Sequence, residues 1–300
     1  MYYILKYLLF LLLLFYFISS SFSQKDTINT NRLKIFISGN IVFYAGTGIV
    51  LNNLWYKQYS SNNFHFFDDS NEWLQVDKCG HFYTSYYLSK VLNNGFKWIG
   101  LSVNKSALYG SLLGVFYISS IELFDGYSEH WGASISDIGA NILGSSLFLT
   151  QQLLWKEQRI TPKFSFHTTS YTSVRPDLLG DSFGEQLLKD YNGQTYWLSF
   201  NIKSLWQLNK FPAWLNLAIG YGATGMVGGR DNNNAEIPVE SNLDFTRKRQ
   251  YYISLDLDLN KIKTKSKFLK IVFSFVNIIK FPLPTVEFSG DDINFYPFYF

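Results

Sequence analysis

The chain has 300 residues, 47% of them hydrophobic, 19% aromatic and only 16% charged, where a typical soluble domain carries about 25% charged residues. That leaves ample apolar material for a core and excludes disordered, collagen-like and coiled-coil classes. A net charge of +3 without a basic stripe argues against a nucleic-acid partner, and a single cysteine, Cys79, excludes an internal disulfide and any multi-cysteine zinc site.

Residues 1–23 read as a secretion signal. Lys6 supplies a weak positive start, residues 7–18 are apolar, and Ser21 and Ser23 suit the −3 and −1 positions of a cleavage site. Cleavage after Ser23 leaves Gln24 at the new terminus. The apolar run is shorter than the ~20 residues of a membrane span. No cysteine stands near the cut, so lipid attachment there is not expected. The mature chain is expected in the bacterial cell envelope.

Residues 24–159 carry a helical pattern. Residues 35–56 hold no charge, and further helices are expected over about 76–93, 105–123 and 134–155. Asn93, Asn94 and Gly95 suit a left-handed helix end. Ser134 suits an N-cap, with Asp137 three residues on. Gly110, Ser111, Gly114, Gly139, Ala140, Gly144 and Ser145 allow close helix approach.

Residues 160–300 read as a connecting segment, with a short helix near 184–189, and then an antiparallel β-rich region. Residues 196–203, 215–224 and 251–260 alternate between an oily face and a polar or small face. Leu215, Leu217, Ile219, Tyr221 and Ala223 form one such oily set; Tyr251, Ile253, Leu255, Leu257 and Leu259 form another. Residues 267–279 fit a helix or a strand, and 293–300 an extended aromatic stretch. About five strands are visible, fewer than the eight of the smallest outer-membrane barrel, so a half-open sheet is expected. The fold class is α+β: an N-terminal four-helix bundle followed by an antiparallel sheet.

Three polar stretches stand out: Asp77-Lys78-Cys79-Gly80-His81-Phe82, Glu122-Leu123-Phe124-Asp125-Gly126, and Ser134 through Asn141 followed by Gly144. Asp77 and His81 share a helical face, as do Glu122 and Asp125, and Asp137, Asn141 and Gly144. With short loops, neighbouring helices run antiparallel. All three stretches then fall at one end of the bundle. One histidine and up to four carboxylates could bind a divalent metal. Alternatively, His81 could act as a general base held by Asp77 or Asp137. A third reading is a structural network, with carboxylates at positive helix starts and Lys78 paired to Glu122 or Asp125. His65, His130 and His167 are isolated, His130 being nearest the cluster, and Cys79 reads as a small buried residue.

The three stretches, taken in order over about residues 70–150, resemble the YfiM-like family of predicted envelope lipoproteins of unknown function and, more distantly, the VanZ-like membrane proteins. Residues 189–199 resemble a longer YfiM-like form with a β-rich tail. The resemblance implies an envelope location and a helical core, and implies no established reaction, substrate or cofactor.

Charge is unevenly spread. Lys25, Arg32, Lys34, Lys90, Lys97, Lys105, Lys156, Arg159 and Lys163 are expected at one end. Asp68, Asp69, Glu72, Asp77, Glu122, Asp125, Glu129 and Asp137 are expected at the other, with Lys57 and Lys78. This is the asymmetry of a polytopic inner-membrane protein. It also suits an exported bundle resting on anionic headgroups, with the outer membrane favoured over the inner. Expected partners are membrane lipid or an envelope protein, and a homo-oligomer would complete the sheet. The expected role is a membrane-associated scaffold or binding protein. The alternative is a hydrolase or transferase acting on an envelope lipid or cell-wall precursor.

Overall fold

The computed structural model describes residues 26–54, 63–129, 131–233 and 242–300. The signal segment, Lys57 and His130 lie outside them. Helices α1 (Thr30–Leu54), α2 (Val76–Ile99), α3 (Val103–Ser119), α4 (Ile121–Asp125) and α5 (Ile135–Leu154) come first. Strands β1 (Ile160–Phe166), β2 (Gln194–Phe200), β3 (Leu215–Thr224), β4 (Lys248–Leu257), β5 (Leu283–Ser289) and β6 (Asp292–Tyr299) follow. Short helices α6 (Pro176–Leu179), α7 (Phe183–Lys189) and α8 (Ile202–Trp206) lie between strands, and α9 (Lys267–Val276) precedes β5.

The helical core is a three-helix packing of α2, α3 and α5 rather than a bundle of four. Small residues set it. Gly110 and Gly114 of α3 lie against the backbone of Asn93 and Ser89, and Gly144 of α5 lies against the Phe82 carbonyl. A Cβ at Gly114 would stand 2.7 Å from Ser89 Oγ. Among the described side chains of helix α1 none is buried. It is apolar all round, so it offers no face that prefers the core. It touches the rest through Phe36 on Phe96 (4.9 Å between rings), Tyr44 donating to Ser120 Oγ (2.7 Å) and Tyr117 donating to Asn40 (3.2 Å).

Helix α2 runs past the expected stop at residues 93–95 and ends at Gly100, whose φ of 105° supplies the left-handed cap. Gly95 is helical and leaves room for the Phe36 ring. Helix α5 begins as expected: Ser134 Oγ accepts from the Asp137 backbone N–H at 3.0 Å. By length and composition alone, residues 30–53 and 103–125 could each cross a bilayer, and 39% of the second span is buried within the fold.

The six strands form one antiparallel sheet in chain order, β1 to β6. Two strands had no expectation behind them. β1 occupies the start of the expected connecting segment, and β5 carries the inward pair Thr285 and Glu287. Residues 267–279 resolve as helix α9 over their first ten residues. The bundle meets the sheet through α2. Tyr87 donates to the Pro162 carbonyl at 2.7 Å, and the Tyr83 ring lies 5.9 Å from Tyr196.

The sheet is inverted relative to one that faces water. Its polar face is the buried one. Lys163 and Asp256 pair at 2.7 Å with side-chain exposures of 1% and 0%. Lys163, expected in the basic end of the bundle, therefore sits inside the sheet. Ser199 donates to Asp256 at 2.6 Å, the Phe281 N–H donates to its other oxygen, and Asn216 donates to Ser199. Lys280 lies 5.0 Å over the Trp197 ring; burial pushes its ammonium down to about 8, with Asp256 pulling the other way. The oily face points outward. Register aligns Leu198, Ile219, Ile253, Val286 and Phe295 in one row across five strands, and Ile219, Ile253 and Phe295 are exposed.

Candidate functional site

The approach to α2 is a left-handed turn without glycine: Trp73, Leu74 and Gln75 have φ of 47°, 49° and 67°. Such backbone costs of order 1 kcal/mol per residue and persists only where surroundings hold it. Here the sheet end holds it. The Trp73 N–H donates to Gly229 O at 2.7 Å, Tyr221 OH donates to the Leu74 carbonyl, and Arg249 donates to Gln75 at 2.8 Å. The turn aims the first turn of α2 at the ends of α4 and α5.

The structure brings Asp77, His81, Glu122, Asp137 and Asn141 together, with Asp125 on the same cavity wall. Lys78 is the hub. Its ammonium contacts Asp69 at 2.6 Å, Asp77 at 2.8 Å and Asp137 at 2.8 Å. Lys78 was expected to pair with Glu122 or Asp125; the α2 turn directs it instead to three aspartates. Asp69 is a cluster member that no motif reveals. It accepts from Ser134 Oγ at 2.6 Å and Ser136 Oγ at 2.7 Å. Its segment has no periodicity, and only folding brings it to α5.

Glu122 is 2% exposed. Its Oε2 accepts from the Ser134 N–H at 3.0 Å, while its Oε1 has no hydrogen-bond partner, and neither has Asp77 Oδ1. His81 Nδ1 lies 3.2 Å from Asn141 Oδ1, and Asn141 Nδ2 donates to Ser119 Oγ at 3.2 Å. With its amide nitrogen so used, Asn141 presents an acceptor, so His81 carries its proton on Nδ1. Its Nε2 faces Asp137 Oδ2 at 3.8 Å, and its Nδ1 also lies 3.9 Å from Glu122 Oε1.

Burial pushes the Glu122 carboxyl up to about 9, and the charges of Asp137 and Asp125 add to it. Burial also raises Asp77 to about 6, against the pull of Lys78, and it raises Asp137. Asp69 goes the other way: burial is outweighed by hydrogen bonds from Lys78, Ser134 and Ser136, which bring it down to about 2. Lys78 is held protonated, since the charges of Asp77 and Asp137 overcome its burial. Burial lifts the Cys79 thiol to about 12, which leaves it unreactive.

The cluster forms the polar wall of an open cavity of about 450 Å³. Its other wall is apolar and aromatic, including Leu51, Ile118, Phe164, Leu187, Tyr191 and Tyr196. Gly80 leaves room for the Tyr196 hydroxyl; a Cβ there would stand 2.9 Å from it. Elsewhere, His65 hydrogen-bonds the Asn63 carbonyl, and the His167 ring lies beside Tyr299. Neither joins a candidate ligand group among the described residues.

No curated protein and no solved structure matches this chain. A family model described as "Predicted periplasmic lipoprotein (DUF2279)" matches residues 65–152, a stretch that holds every residue of the polar cluster. That match supports an uncharacterised, exported protein of the cell envelope, and the chain is similar to that family over its helical core.

Proposed function

We propose that this is a membrane-associated envelope protein with a binding or scaffold role, of YfiM-like and more distantly VanZ-like kind, whose sheet rests against lipid. The observation that carries this reading is the inverted sheet. Leaving a large apolar side chain exposed to water forfeits about 1.5–3 kcal/mol, and Tyr251, Ile253, Leu255, Phe288, Ile293 and Phe295 are all exposed on β4, β5 and β6. Lipid acyl chains recover that loss. Helix α9 supplies the headgroup contact. Phe268, Ile271 and Phe275 share one exposed face, and Lys263, Lys265, Lys267 and Lys270 are exposed beside it. A basic amphipathic helix of this kind lies in the interface of an anionic bilayer. An outer-membrane location is favoured.

Vesicle flotation tests this. The detergent-purified chain should float with vesicles containing anionic phosphatidylglycerol, and less with phosphatidylcholine alone. A quadruple Lys→Glu change at 263, 265, 267 and 270 should abolish the difference. Recovery of the detergent-free protein as a soluble monomer that ignores both vesicles would overturn the reading. A soluble dimer that ignores them would assign the oily face to a second copy instead.

One observation favours a second reading, a hydrolase or transferase acting on an envelope lipid or cell-wall precursor. The cavity pairs an apolar wall with His81 and buried carboxyls, which suits an amphiphilic substrate. Under this reading His81→Ala and Asp137→Asn abolish function while the protein still folds.

A further inference from the structure

We propose that His81, Glu122 and Asp137 are the protein ligands of a divalent transition-metal site at the polar end of the bundle. One ligand atom from each residue lies within 4.8 Å of the others. A four-coordinate zinc ion with bonds of about 2.0–2.1 Å has ligand atoms about 3.3 Å apart, so these side chains need only draw in slightly.

Three observations point to a cation rather than to a finished network. Glu122 Oε1 is buried on the cavity wall without a hydrogen-bond donor. His81 Nε2 and Asp137 Oδ2 face one another at 3.8 Å, and Glu122 Oε1 stands 3.9 Å from Nδ1 of the same ring, all beyond hydrogen-bond reach. That spacing admits a cation between the two groups. Finally, the cluster gathers four carboxyl groups, those of Asp69, Asp77, Glu122 and Asp137, around one ammonium, that of Lys78.

A second group, Asp69, Asp77 and Asp137, has the same ligand spacing. That group already holds a cation, because the Lys78 ammonium contacts all three. The group built around His81 shares only Asp137 with it: Lys78 takes Oδ1 of that carboxyl, and Oδ2 faces His81. The donor set names the class of ion: one imidazole nitrogen with two carboxylates suits zinc or manganese, whereas magnesium and calcium prefer all-oxygen sites. Asn141 takes the outer-sphere role, accepting from Nδ1 and so aiming Nε2. The site stands whether or not the sheet contacts lipid, and it requires no reaction.

Chelator-stripped, detergent-purified protein titrated with zinc, manganese, magnesium and calcium tests the proposal, with visible absorption of bound cobalt reporting low coordination number. Saturable binding of one zinc or manganese per chain is expected, tighter than magnesium or calcium by at least tenfold. His81→Ala and Glu122→Gln should each weaken it at least tenfold, and Asn141→Ala by about 10–100-fold. Should His81→Ala fail to fold, Glu122→Gln decides, since it keeps an acceptor for the Ser134 N–H. Absence of saturable binding would overturn the site. So would affinity unchanged in His81→Ala, or in Glu122→Gln, or binding led by calcium.

Discussion

Two lysines, the buried Lys163 and the half-buried Lys78, anchor two polar interiors in this molecule, and these are finished to different degrees. Inside the sheet, Lys163 meets Asp256 at 2.7 Å and also donates to the Leu257 carbonyl at 2.6 Å. Both Asp256 oxygens have further donors in Ser199 and the Phe281 N–H. At the end of the bundle, Lys78 meets three aspartates, yet Glu122 Oε1 and Asp77 Oδ1 remain without hydrogen bonds. A satisfied buried network specifies a fold, and an unsatisfied one costs free energy that a ligand can recover. The first interior reads as architecture and the second as a site.

The comparison breaks most visibly at Lys163. Lys163→Met removes one partner of a fully buried pair and leaves Asp256 uncompensated, a cost of about 3–5 kcal/mol. Denaturant unfolding in detergent should show the loss, or the variant should fail to accumulate folded. A change below about 1 kcal/mol would mean that the sheet interior is not the finished network described.

Next in size is the pH dependence of the metal-free protein. Folding raises Asp77 to about 6 and Glu122 to about 9, whereas unfolded carboxyls titrate near 4. The folded state therefore holds protons that the unfolded chain releases. This contribution to stability is full below about pH 4 and is lost as pH rises through 6 toward 9. Asp69, brought down to about 2, acts oppositely: its contribution is present above about pH 4 and is lost as pH falls toward 2. Unfolding midpoints at pH 5, 7 and 8.5 should fall in that order. A flat profile would contradict the buried, unpaired state of Glu122.

Ser134→Ala removes the cap of α5 and a donor to Asp69, so it should cost about 1 kcal/mol. It should also loosen the end of the bundle in hydrogen exchange while leaving the sheet amides protected. The smallest effect is expected on the oily face. Ile253→Thr keeps a β-branched residue at an exposed position, and the fold in detergent should change by less than about 0.5 kcal/mol. Vesicle flotation should drop all the same, and a large fold effect would place that face in a core.

The sequence reveals these two interiors unequally. Alternation locates β3 over its full observed span, but a period of two names two faces without saying which is inside. That choice falls to Lys163 and Asp256, which are near in space and remote in sequence. β1 escapes because Pro162 and Lys163 interrupt its apolar pattern. The reach of α2 is misjudged because Gly95 resembles a helix stop and is instead a seat for Phe36. At the bundle end, helical spacing and antiparallel packing suffice to bring His81, Glu122 and Asp137 near one another. Asp69 and the left-handed turn at Trp73, Leu74 and Gln75 escape because tertiary contacts, rather than local propensity, hold them.

The central distinction, a finished interior against an open site, is tested most directly by the unfolding free energy of Glu122→Gln beside wild type, metal-free and at pH 7. An open site predicts that the variant is as stable as wild type or more so, because a neutral amide replaces a buried carboxyl without a full set of partners. A variant less stable by 1 kcal/mol or more, as expected for loss of a satisfied hydrogen-bonded group, would contradict the distinction and make the bundle end a second structural network.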